Sequence, residues 1–208
     1  MTEPRTDASR ERALFWGHAA TFGALWGALE ATVGSFVHAV RMPFGGTMLA
    51  ATGAALLVAL RHLYPQRGVM LAAGAVCAIV KMVAPATVIL GPMIGILIES
   101  LLLELACLPL GATKPAALLG GALATLWALS QKVLVQIVLY GAPIIGLYKD
   151  LLARAEGWLH LPRTGGLWVV GPFAALVAAM GAGAGLVGLA AARAAARERE
   201  RAHEEARA

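Results

Sequence analysis

Long apolar stretches fill most of this chain and are separated by short segments rich in polar, glycine and proline residues. Each stretch approaches the roughly 20 residues that an α-helix needs to cross a bilayer, and the second and third are the shortest. The six stretches are residues 13–40, 47–63, 68–84, 86–108, 115–140 and 167–192. This pattern predicts an all-α integral membrane protein in which a six-transmembrane-helix bundle (13–192) lies between an N-terminal segment (1–12) and a charged tail (193–208).

The composition supports the same fold class. Apolar residues make up 59% of the chain and charged residues only 14%, which lies outside the usage of ordinary soluble domains. Almost no sequence is left for a separate soluble domain. We therefore expect the function to reside in the helix bundle and its short loops, and membrane lipid to surround it.

The positions of Lys and Arg predict the orientation, because cytoplasmic loops accumulate these residues. With the N-terminus inside, eleven of them fall on the cytoplasmic side and four outside, the four being Arg41, Lys149, Arg154 and Arg163. Both termini are thus predicted to be cytoplasmic, in a multi-pass protein of the cell membrane. The basic residues behind the net charge of +5 are spread over four inner segments, and the two terminal segments also contain acidic residues, so the charge does not indicate a nucleic-acid partner.

Sequence features of catalytic and metal sites are missing. The five histidines and two cysteines lack the spacing of metal ligands, and both aspartates, Asp7 and Asp150, lie outside the apolar stretches. There is no HExxH and no GxSxG motif. We therefore expect no metal, no cofactor and no catalytic residue; a membrane enzyme with Glu99 or Glu104 as acid/base is the alternative.

Several apolar stretches carry charged side chains, each of which costs a few kcal/mol in a membrane and usually faces the bundle interior. At helical spacing, the polar positions of the first, third, fourth and fifth stretches each gather on one face. If these faces converge, they form a polar pocket in the outer half of the bundle. The predicted substrate-binding residues, including two from the first outer loop, are Glu30, His38, Arg41, Lys81, Glu99, Gln131, Lys132 and Gln136. The alternative is that the charged groups only neutralise one another as ion pairs between helices.

A second pattern lies on the first helix. Ala20, Ala24 and Ala28 recur every four residues, roughly opposite Glu30, and form a smooth stripe that another helix could approach closely. The stripe could dock a partner protein or pack inside the same bundle.

With six predicted helices, both ends inside, the Ala20, Ala24 and Ala28 stripe and a shaped outer loop ahead of a polar pocket, the chain resembles the S components of energy-coupling-factor (ECF) transporters. The resemblance covers nearly the whole chain and is architectural. It implies capture of a small water-soluble vitamin or related micronutrient, with the stripe docking on a transmembrane coupling protein. It also implies two ATPase subunits in trans, since this chain has no GxxxxGK[ST] loop. No pattern of a substrate-specific subfamily is found, and an oligomeric scaffold or channel remains a further alternative.

Overall fold

The computed structural model describes residues 4–40, 45–83, 90–141, 146 and 167–207. These residues are almost entirely helical, with no strand among them. In chain order, the helices of this described part are α1 (Pro4–Ala39), α2 (Gly45–Leu63), α3 (Val69–Val83), α4 (Leu90–Leu110), α5 (Lys114–Tyr140) and α6 (Leu167–Glu205).

The first and last helices continue beyond the predicted apolar stretches. α1 already begins at Pro4, and α6 runs on to Glu205. The added segment of α6 is rich in Ala, Arg and Glu, which are strong helix formers, and that of α1 contains three Arg and has its single Pro at the first helical position, where Pro is tolerated. The predicted segment borders at residues 12 and 193 therefore fall inside continuous helices.

Four of the helices are long and apolar enough to cross a membrane: α2, α4, α5 and α6. α3 is equally apolar but has only 15 residues, and it adjoins residues 84–89, which lie outside the described part. α1 is long enough, but its charged N-terminal turns and its hydroxyl and glycine residues make it more polar than these four. The chain thus has the architecture expected of a multi-pass membrane protein.

α2 is the central helix, because it contacts each of the other helices. Around it, α1 packs on α3, α3 on α4, α4 on α5, and α5 on α6. In the described residues α1 and α6 make no helix–helix contact, so the ring is open between them. The fully buried side chains Leu57, Met70, Leu103 and Leu189 come from four different helices and form the apolar core.

α5 and α6 approach each other very closely. Gly121 and Gly181 face each other so closely that a Cβ atom on either would collide with the backbone of the other. Gly185 packs on Ala117 in the same way. These glycines of the last helix therefore serve packing within the bundle, as small residues commonly do between membrane helices.

Candidate functional site

The best-defined polar contact inside the bundle joins α1 and α3. The Lys81 ammonium lies 3.2 Å from Glu30 Oε2 and donates a second hydrogen bond, at 3.0 Å, to the Glu30 backbone carbonyl. Both side chains are largely buried, at 13% and 11% exposure. The two helices can approach this closely because Gly27, one turn before Glu30, lies against Val80.

Glu99 brings a second carboxyl group into the same region from α4. The residue is only 7% exposed, and α4 packs on α3, which carries Lys81 and the buried Cys77. Among the described side chains, none donates a hydrogen bond to Glu99 or pairs with it. Among the described residues, this part of the bundle thus holds the Glu30–Lys81 ion pair and one additional acid, Glu99.

Gln131 lies on the neighbouring helix pair. Its amide nitrogen donates to the backbone carbonyl of Gly91, and its side chain lies over Gly95. Gly95 has no side chain to keep the two helices apart, so the Gln131 side chain fits between α5 and α4. Part of its hydrogen-bonding capacity is therefore used to join these two helices.

The other predicted substrate-binding residues are described less fully or not at all. Arg41 lies outside the described residues. His38, Lys132 and Gln136 lie on helical backbone, in α1 and α5, but their side chains lie outside the described part. Of the predicted set, the structure therefore brings together Glu30, Lys81 and Glu99, and places Gln131 between α4 and α5.

Glu104, the other acid considered for acid/base chemistry, has a structural role. Its two carboxylate oxygens accept hydrogen bonds from the backbone N–H groups of Gly68 (2.8 Å) and Met70 (3.1 Å), and it lies 3.7 Å from Arg61. The first N–H groups of a helix have no acceptor within the helix, and the Glu104 carboxylate supplies one at the start of α3. Its negative charge also interacts favourably with the positive end of the helix dipole. Both oxygens are thus engaged in holding the α2–α3 turn, which argues against catalysis by Glu104.

A cluster around Tyr64 was not predicted from the sequence. The His18 ring of α1 stacks on Tyr64 with centroids 3.5 Å apart, and the Arg199 guanidinium of α6 lies 3.3 Å from the Tyr64 hydroxyl. Tyr64 thereby links two helices that do not otherwise pack on each other. The three residues are far apart in the chain, so no local spacing could have indicated this contact.

The alanine stripe faces away from the bundle. Ala20, Ala24 and Ala28 are all exposed, and a side chain added at Gly17, one turn earlier, would touch nothing within 4 Å. The hydroxyl of Thr21 on the same side is hydrogen-bonded to the Gly17 carbonyl at 2.9 Å. The surface of α1 along this stripe is therefore formed by small side chains, whereas large exposed side chains such as Leu25 and Phe36 lie elsewhere on the helix.

Comparison of the chain with protein-family models, curated proteins and solved structures finds no match.

Proposed function

We propose that the chain is the substrate-binding membrane subunit of an ECF-type importer. It has six membrane-spanning helices, both termini are cytoplasmic, and it lies in the cell membrane. The observation that carries this proposal is the division of α1 into two faces. On one face Glu30 is buried with Lys81, and on the other Ala20, Ala24 and Ala28 are exposed.

A two-faced first helix suits a protein with two tasks. The buried polar face supplies part of a binding site, because charged groups in membrane helices usually mark a site or a pathway. The exposed small-residue face allows a helix of another protein to approach closely. Packing inside the chain does not account for this stripe, since α1 contacts only α2 and α3 in the described residues.

The binding site in this proposal lies in the outer half of the bundle. Lys81 is already neutralised by Glu30, so the ligand would meet Glu99 and the remaining amide capacity of Gln131. His38, Arg41, Lys132 and Gln136 complete the proposed site from the outer loop and α5. The ligand is a small water-soluble vitamin or related micronutrient, and the protein binds it without chemical conversion.

The partners follow from the same proposal. A transmembrane coupling protein docks on the alanine stripe, and two ATPase subunits supply energy in trans. No nucleic acid and no cofactor is involved.

The experiment is a substitution that adds bulk to the stripe. Ala24→Leu should weaken assembly with the coupling protein by about 1 to 3 kcal/mol, because overpacking a close helix–helix contact typically costs that much. ATPase subunits should copurify from native membranes with the tagged wild-type protein and should be absent when the Ala24→Leu variant is purified in the same way. The isolated variant should keep its wild-type melting temperature, since Ala24 is exposed.

Ala179→Leu is the matched control, because Ala179 is an exposed alanine on α6 that lies away from the stripe. It should copurify the same subunits as the wild type. If Ala24→Leu assembles normally, or if it unfolds the isolated bundle, the stripe is not a docking surface and the importer proposal loses its main support.

A further inference from the structure

Glu99 occupies an interior position that is packed from both sides. On one side of α4, Gly74 of α3 lies directly against Ser100. On the other side, Gln131 of α5 lies against Gly95, one turn before Glu99. Glu99 itself is only 7% exposed, so its side chain lies between neighbouring helices.

The charged and titratable groups around Glu99 do not supply a counter-ion from the described part of the chain. α1 contributes Glu30, which is itself an acid, and α3 contributes Lys81, which binds both the side chain and the backbone of Glu30. α3 also carries the buried thiol of Cys77. Glu104, the other acid of α4, lies further along the same helix and pairs with Arg61 of α2.

An ionised carboxylate in this setting would be strongly unfavourable. Burying an unpaired ion costs several kcal/mol even after the protein relaxes, and a buried acid avoids this cost by taking up a proton. A neutral acid needs no counter-ion, so the Glu30–Lys81 ion pair can stay intact.

We propose that Glu99 is a proton-binding site inside the helix bundle, and that it carries a proton at neutral pH when no ligand is bound. The ligand of this site is thus the proton, and the Glu99 carboxyl group becomes negatively charged only when the proton leaves. This inference goes beyond the importer proposal and does not depend on it, because it concerns the isolated chain.

The alternative to a protonated Glu99 is an ion pair between Glu99 and Lys132. Because Gln131 lies over Gly95, the backbone of Lys132 on α5 stands roughly one turn from the level of Glu99. If its ammonium reached Glu99, the carboxyl group would be ionised and paired, and no proton would be bound.

Infrared spectroscopy of the purified, ligand-free protein at neutral pH distinguishes a protonated Glu99 from one that is ionised and paired with Lys132. A protonated carboxylic acid in an apolar interior has a carbonyl stretch separate from the amide bands, and the stretch shifts in D₂O. We expect this band in the wild type, its loss in Glu99→Gln, and its retention in Lys132→Met. Glu104→Gln is the matched control on the same helix and should keep the band.

Three results would overturn the proposal: a wild-type protein without the band, a band that survives Glu99→Gln, or a band that appears only in Lys132→Met. If Glu99→Gln does not fold, Glu99→Asp serves instead, since a moved carboxyl group must change the frequency of the band. An unchanged band in Glu99→Asp would assign the proton to another group. None of these outcomes bears on assembly through the alanine stripe.

Discussion

The Lys81 ammonium binds Glu30 twice, at 3.2 Å through the carboxylate and at 3.0 Å through the backbone carbonyl. One side chain of α3 thereby fixes both the side chain and the backbone of α1 at the same level of the bundle. The helices lie close enough for this because Gly23 and Gly27 of α1 face Val76 and Val80. The ion pair and the glycines together set how α1 packs on α3.

We predict that removing one member of this pair destabilises the protein more than removing both. Lys81→Met or Glu30→Gln alone should lower the free energy of unfolding by about 3 to 5 kcal/mol, because each leaves a buried group without its partner. The double variant should recover most of that loss, since no uncompensated charge remains. Thermal unfolding in detergent measures this, and strictly additive losses would contradict it.

A second prediction concerns the α2–α3 turn. Glu104→Ala should destabilise the protein more than Arg61→Ala, because it removes the acceptor for the Gly68 and Met70 N–H groups as well as the partner of Arg61. We expect about 3 to 5 kcal/mol for Glu104→Ala, as for other broken buried charge contacts. Amide hydrogen exchange should accelerate at Gly68 and Met70. Equal protection of these amides in Glu104→Ala and the wild type would show that the carboxylate does not hold the turn.

A third prediction compares two glycines on α6. Gly181→Ala should weaken or unfold the bundle, because the added methyl group would collide with the Gly121 backbone and the Thr125 hydroxyl. Gly183→Ala meets nothing within 4 Å and should raise helix stability by up to about 1 kcal/mol. Melting temperatures of the two variants measure this difference. The absence of a loss in Gly181→Ala would mean that α5 and α6 do not approach each other as described.

How much of this structure the sequence predicts depends on whether the signal is local. The positions of α2 and α4 follow from their apolar stretches, and helical spacing correctly places Glu30 and Lys81 on inward faces. The helix ends of α1 and α6 lie beyond their apolar stretches, because an apolar stretch marks where a membrane helix stays in the bilayer and not where helix formation stops. Charged, alanine-rich segments continue the helix.

Contacts between distant residues could not be predicted. Glu104 binds Gly68 across 36 positions of the chain, and Arg199 reaches Tyr64 across 135. Such contacts depend on how neighbouring helices align along their axes, which no spacing within one helix reveals. The same limit applies to the charged residues: their faces were predictable, but not that Lys81 pairs with Glu30 while Glu99 lies apart.

The orientation in the membrane yields the last prediction, tested by cysteine labelling from outside the cell. In a background with Cys77 and Cys107 replaced by alanine, single cysteines at Asp150, Arg67 and Arg197 provide three probes. Because Arg199 contacts Tyr64, the tail of α6 and the α2–α3 turn lie at the same end of the bundle. Both Arg67 and Arg197 are exposed, so their probes must label alike whatever the orientation.

The cation asymmetry then predicts which end is cytoplasmic. An impermeant thiol reagent should label the cysteine at Asp150 on intact cells, and should reach those at Arg67 and Arg197 only after the membrane is opened. If the cysteines at Arg67 and Arg197 were labelled from outside and the one at Asp150 were protected, the orientation would be the opposite of the predicted one. The proposed binding site would then lie on the wrong side of the membrane for import. Opposite labelling of Arg67 and Arg197 would instead contradict the helix arrangement itself, because the two probes would then lie at different ends of the bundle.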